Sequence, residues 1–155
     1  MDKPLNTEQS IALSKAANCR SKAPFDNAYS AVALQAEAEY VQGFLVCVGG
    51  ALQPIEHAWL ETATEIIDPN FPFLKQRADA VFYFPAQRLT YSALQAAIEE
   101  AKEDYPEDDP LPIYGTNPYD YYGDVMLGGV EYTAAFNAAK AKAKELNPII
   151  KRQKP

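Results

Sequence analysis

The stretch Tyr40-Val41-Gln42-Gly43-Phe44-Leu45-Val46-Cys47-Val48, closed by Gly49-Gly50, decides the fold. It is rich in β-branched and aromatic residues and nearly unbroken in apolar character, which predicts a central strand buried on both faces. Segments on either side read against it. Ahead of it, residues 6–17 place Ile11, Leu13, Ala16 and Ala17 among polar residues, with Asn6 and Gln9 spaced as a capping box, and predict a short helix. Cys19 to Pro24 interrupts that pattern, and Asp26 is placed to cap a second helix running to about Glu39.

Behind it, Ile55 to Glu61 and Glu65 to Asp68 read as two further strands around Thr62-Ala63-Thr64, and Asp68-Pro69 ends the second of them because proline cannot donate to a ladder. Val81 to Phe84 predicts a fourth strand, and Thr90 or Ser92 caps a helix over about 92–103 with Leu94, Ala97 and Ile98 inward. Residues 104–129 turn to Pro, Gly, Asp and Tyr and read as a long loop, either packed over the core or serving as a binding lid. A last helix over about 132–146 precedes Pro148 and a basic tail at 148–155. Helices first, strands joined by short turns after them, and a closing helix predict an α+β class within a single domain over 1–155.

The totals exclude several functions. No apolar run approaches the roughly 18 residues of a membrane span. The opening residues lack a basic-then-apolar leader, which predicts a cytoplasmic chain with reduced thiols. A formal charge of −7 disfavours binding to nucleic-acid backbones. Charge is uneven, however: Glu99 to Asp109 holds seven acids and one lysine, and Lys140 to Pro155 holds six bases and one acid. Two cysteines, neither in a CxxC pair, and one histidine leave no zinc ligand set, and no glycine-rich phosphate loop is present. No metal and no cofactor are expected.

The single histidine carries the chemistry that the sequence offers. Pairing the second and third strands about the centre of the Thr62-Ala63 step sets His57 opposite Asp68 and Trp59 opposite Ile66, close enough for a carboxylate to hold one imidazole nitrogen. A histidine so held is either a satisfied buried pair or a base with its orienter, which in cysteine hydrolases takes a proton from a thiol. Cys47 lies within the central strand and reads as a small buried hydrophobe, so Cys19 is the candidate nucleophile.

Three runs carry a resemblance: Tyr40-Val41-Gln42-Gly43-Phe44, then Pro54-Ile55-Glu56-His57-Ala58-Trp59, then Ile66-Ile67-Asp68-Pro69. Over about residues 24–90 they resemble a family of uncharacterised bacterial and phage proteins, itself similar to transglutaminase-like and papain-like cysteine-fold proteins. The resemblance implies N-terminal helices packed on a small antiparallel sheet, with a cysteine opening a helix against strands that bear His and Asp. Its Cys-Phe-x-Asn-Ala motif aligns with Pro24-Phe25-Asp26-Asn27-Ala28, so proline stands in the nucleophile position and Asn27 beside it. Cys19 then serves only if Arg20 to Pro24 loops out and returns the thiol to the helix start.

Two functions follow as expectations. One is a degenerate Cys-His-Asp hydrolase (Cys19, His57, Asp68) acting on an amide or other acyl group. The other is a non-catalytic binding protein, phage-encoded as the resemblance implies, whose Trp59, Asn27, Tyr119, Tyr121 and Tyr122 contact a small molecule or a host protein.

Overall fold

The computed structural model describes residues 3–50, 53–112, 119–122 and 125–147, and for 119–122 and 125–129 the backbone only. Helix α1 (Thr7–Ala16) is capped by Asn6, whose side chain accepts the Gln9 amide at 2.9 Å. Its inward residues are Ser10, Leu13 and Ser14, whereas Ile11, expected to face inward, is exposed. Helix α2 (Pro24–Leu34) begins on the proline, whose fixed φ suits the first helical position and whose missing N–H costs nothing there. Asp26 is therefore a first-turn residue and not the cap, which is Ala23; the helix also stops at Leu34, short of the expected Glu39, because Glu39 already opens the next strand.

Strand β1 (Glu39–Cys47) is buried along all but its two end residues, as its apolar run requires. It pairs antiparallel with β2 (Ile55–Glu61) on one side and β4 (Val81–Leu89) on the other; β3 (Ile66–Ile67) pairs antiparallel with β2, so the sheet order is β3-β2-β1-β4. Between β3 and β4 lies a one-turn helix, α3 (Phe71–Leu74). Strand β4 runs five residues beyond the expected Phe84 and contains Pro85. The proline is tolerated because β4 is an edge of this sheet and because a bulge sits there: Gln42 faces Gln87 while Gly43 faces Pro85.

Thr90 caps α4 (Tyr91–Asp104) by accepting the Ala93 amide at 3.1 Å. The segment expected to be loop throughout contains a hairpin, β5 (Tyr119–Tyr122) with β6 (Val125–Gly128), before α5 (Gly129–Leu146). Its tyrosines satisfy a strand as readily as a loop, and the Pro and Gly around them obscured that preference. Tyr114 and the tail at 148–155 lie outside the described residues.

Alternation along the strands assigns the two faces. On one face Tyr40, Ala58, Leu60 and Ile67 meet α1, α2 and α4, while Phe44 and Val46 meet Tyr132, Phe136, Ala139 and Ala143 of α5. Gln42 joins these two clusters: its side chain accepts from the Tyr40 hydroxyl at 2.6 Å and donates to the Tyr132 hydroxyl at 2.5 Å. The opposite face carries Val41, Trp59 and Ile66, packed with Leu5 and Tyr83. His57 shares that face, two residues from Trp59 along β2.

Candidate functional site

The site grows from the end of β3. The ladder pairs Leu60 with Ile67 and Glu61 with Ile66, so the register is two residues off the one expected and Asp68 continues past the strand. A shift of two keeps every side chain on its original face. His57 and Asp68 accordingly still meet, diagonally, with His57 Nε2 2.9 Å from Asp68 Oδ2. Trp59 does not stand opposite Ile66, as expected, yet packs in the same cluster with it.

Asp68 is wholly buried and its carboxylate is fully engaged. Oδ2 also accepts the Tyr83 hydroxyl at 2.8 Å, and Oδ1 accepts the Asn70 amide at 2.8 Å, closing the turn that Pro69 imposes. The Asp68 amide donates to Ser10 Oγ at 2.8 Å, which ties α1 to the site. Burial, followed by the charge and hydrogen bond of Asp68, holds the Tyr83 hydroxyl well above its ordinary range, so it remains a donor. Because a carboxylate only accepts, Nε2 of His57 donates its N–H to Asp68, and Nδ1 is the ring nitrogen that Asp68 leaves free of its own contact.

The imidazole lies in an aromatic setting. Its ring centroid is 6.0 Å from Trp59 at an interplanar angle of 25°, and Trp59 meets Tyr83 edge-on at 4.9 Å. His57 is only 3% exposed and Trp59 is fully buried, so neither lines an open cleft.

A second polar centre flanks Trp59. The indole N–H donates to Glu61 Oε2 at 3.1 Å, and Glu61 Oε1 pairs with Lys3 Nζ at 3.1 Å and Arg88 Nε at 3.0 Å. Burial alone would raise the Glu61 carboxyl, but the bonds from Trp59, Lys3 and Arg88 outweigh it and hold it below its ordinary value. A lowered folded value means that the ionised carboxylate stabilises the fold above the unfolded pKa of about 4.3, and that this contribution is lost as the pH falls through the folded value. In acid titrations followed by Trp59 fluorescence, the variant Glu61→Gln is expected to lose less stability between about pH 5 and pH 3 than the parent chain.

Cys19 makes its described bonds to α1 and to the start of α2. Its thiol donates to the Asn27 carbonyl at 3.8 Å and also bonds Ser14; none of its described partners is His57. Burial raises the thiol above its ordinary value and the Asp68 charge adds to the rise, with only the Ser14 hydrogen bond opposing them. The sulfur faces a carbonyl within α2, and Pro24 at the helix start has no N–H to offer a thiolate. Cys47 is half-buried and its thiol is likewise raised, by burial first and then by Asp68.

Asn27 is a structural pin. Its Nδ2 donates to the Arg20 carbonyl and to Asn70 Oδ1, both at 2.7 Å, and its Oδ1 accepts the Arg20 amide at 3.2 Å. Asn70, which the sequence did not single out, donates onward to the carbonyls of Pro24 (3.2 Å) and Ala58 (3.0 Å), locking the start of α2 to β2 beside Asp68. The Asp-Pro-Asn turn was the available signal for it. Tyr83 was read as a strand residue only; its place on the His57 face follows from pairing with Leu45, which required the sheet order. The side chains of Tyr119, Tyr121 and Tyr122 lie outside the described residues, although their backbone forms β5.

Among the described residues no group of three or more His, Cys, Asp or Glu could hold a metal ion, and no helix is long and apolar enough to cross a membrane. No family model, curated protein or solved structure matches the chain.

Proposed function

We propose that this chain is a non-catalytic binding protein that keeps a His-Asp frame without a working nucleophile, capturing a small ligand or a protein partner. The observation that carries this reading is the Cys19 thiol: it is bonded to Asn27 and Ser14 and raised by burial, and none of its described bonds is to His57. A thiolate is the nucleophile in cysteine hydrolysis, and everything around this sulfur except the Ser14 hydrogen bond disfavours one. The His57–Asp68 pair, meanwhile, has an ample structural role in binding Tyr83 and Asn70 together. Contact with the ligand falls to the tyrosine-rich hairpin and, once its cover opens, to the sheet face around Trp59 and His57, which is buried in the closed structure.

The alternative, a degenerate Cys-His-Asp hydrolase of an acyl substrate, is favoured by one observation: Asp68 holds Nε2 of His57 and leaves Nδ1 as the base. Thiol reactivity separates the two. In a Cys47→Ala background, iodoacetamide labelling of Cys19 is expected to rise only above about pH 8.5, the ordinary thiol range. Rapid labelling near pH 6, abolished by His57→Ala, would restore the hydrolase reading. For the binding reading, a ligand found by thermal-shift screening is expected to stabilise the parent chain and Cys19→Ala equally, and to lose its effect when Tyr119, Tyr121 and Tyr122 are replaced.

A further inference from the structure

The face that bears Trp59 is closed at one side by the segment Lys3-Pro4-Leu5-Asn6, which belongs to no helix and lies along β3 as a short parallel edge. Two backbone bonds hold it, Ile66 N–H to the Pro4 carbonyl and Asn6 N–H to the Ile66 carbonyl, both 2.8 Å. Its side chains alternate as in a strand. Lys3 reaches Glu61 Oε1 (3.1 Å) and the Thr62 carbonyl (2.8 Å), and Leu5 packs on the Val41–Trp59–Ile66 cluster. Asn6 reaches Glu65 at 3.1 Å.

We propose that residues 3–6 are a detachable edge strap, a lid that opens locally from β3 and uncovers Trp59 and Glu61 while the sheet stays folded. Three features support separate opening. On β3 the strap has two ladder bonds, against the two-sided pairing of β1, while the side chain and carbonyl of Asn6, which hold Gln9 and Ser10, stay with α1 when its N–H leaves Ile66. Its ionic anchor, Lys3, is partly exposed, at 29%, so water can compete for it. Glu61 also keeps Arg88 and the Trp59 indole when Lys3 leaves, which avoids stranding a bare buried carboxylate. Few buried contacts and exposed backbone bonds are the marks of segments that open below the global unfolding free energy.

The opened edge has a defined chemistry. It presents the N–H and C=O of Ile66, a carboxylate that takes a cation, and an apolar slot beside Trp59. An extended segment that replaced the strap would carry Lys or Arg and, two residues later, an aliphatic side chain on the same face. As a gate over the face used for binding, the strap rests on the reading above; its opening is tested without any ligand.

Native-state hydrogen exchange on the intact chain is the test. The Asn6 and Ile66 amides are expected to exchange at least tenfold faster than the most protected amides of β1, with rates that do not change at low urea. In Lys3→Ala those two rates rise several-fold further while the β1 amides hold, and acrylamide quenching of Trp59, the sole tryptophan, increases. If the Asn6 and Ile66 amides instead exchange at the β1 rate and follow the same urea dependence, the strap opens only with global unfolding and the proposal is wrong. Fast strap exchange with unchanged Trp59 quenching in Lys3→Ala also overturns the lid, since the strap then uncovers nothing.

Discussion

Asp68→Ala is expected to lower the unfolding free energy by about 3 to 5 kcal/mol, because it strands three buried hydrogen-bond donors at once. The carboxylate has no exposed surface and accepts from His57 Nε2, the Tyr83 hydroxyl and the Asn70 amide. Alanine leaves all three donors facing one another across a void, and each unmade bond in such a place costs about 1 to 3 kcal/mol. Asn70 in turn holds Asn27 and the carbonyls of Pro24 and Ala58, so the loss spreads to the start of α2. Asp68→Asn is expected to cost less, because one carbonyl oxygen still accepts, but its amide group would point at a donor. Urea denaturation monitored by Trp59 fluorescence measures both. A change under about 1 kcal/mol for Asp68→Ala would mean that the pair is held for chemistry and not for the fold.

Gly43→Ala is expected to destabilise the chain by about 3 kcal/mol, at or above the upper end of ordinary overpacking. A Cβ on Gly43 would lie 2.1 Å from the Phe84 carbonyl oxygen and 2.9 Å from both the Ala86 nitrogen and the Pro85 Cα. These are backbone atoms of the neighbouring strand, so no rotamer change relieves the clash. The contact arises at the bulge, where the ladder skips Ala86 and the β4 backbone leans onto β1. Thermal unfolding by circular dichroism gives the size of the effect; the same method applied to Gly49→Ala gives a reference, since Gly49 has open space around its missing Cβ but a φ of +77°. If Gly43→Ala unfolds with the parent chain, β1 and β4 do not approach as closely as the bulge requires.

Much of this architecture was legible residue by residue because it depends on local chemistry. The unbroken apolar run at 40–48 demanded a strand covered on both faces, and β1 lies between β2 and β4. Asn6 three residues ahead of Gln9, and Thr90 ahead of Ala93, are caps whose geometry is complete within four residues. His57 and Asp68 were found together, despite a register off by two, since the period of a strand is two and an even slip preserves the face.

What the sequence could not supply were contacts that depend on elements far apart in the chain. The bonds of the Cys19 sulfur depend on where the turn between α1 and α2 points it, and the side chain of Asn27 fixes that turn through both backbone polar groups of Arg20. Tyr83 and Asn70 entered the site only because the sheet order carries β4 past β1 and because the Asp-Pro turn folds back toward α2. Lys3, Glu61 and Arg88 are separated by up to 85 residues and form one ionic cluster around the Trp59 indole. Periodicity and capping are properties of neighbouring residues, so the sequence alone determined the central strand, the helix caps Asn6 and Thr90 and the His-Asp pair; burial and hydrogen-bond partnership belong to the packed whole, so only the tertiary structure gave the bonds of Cys19 to Asn27 and Ser14 and the hairpin at 119–128.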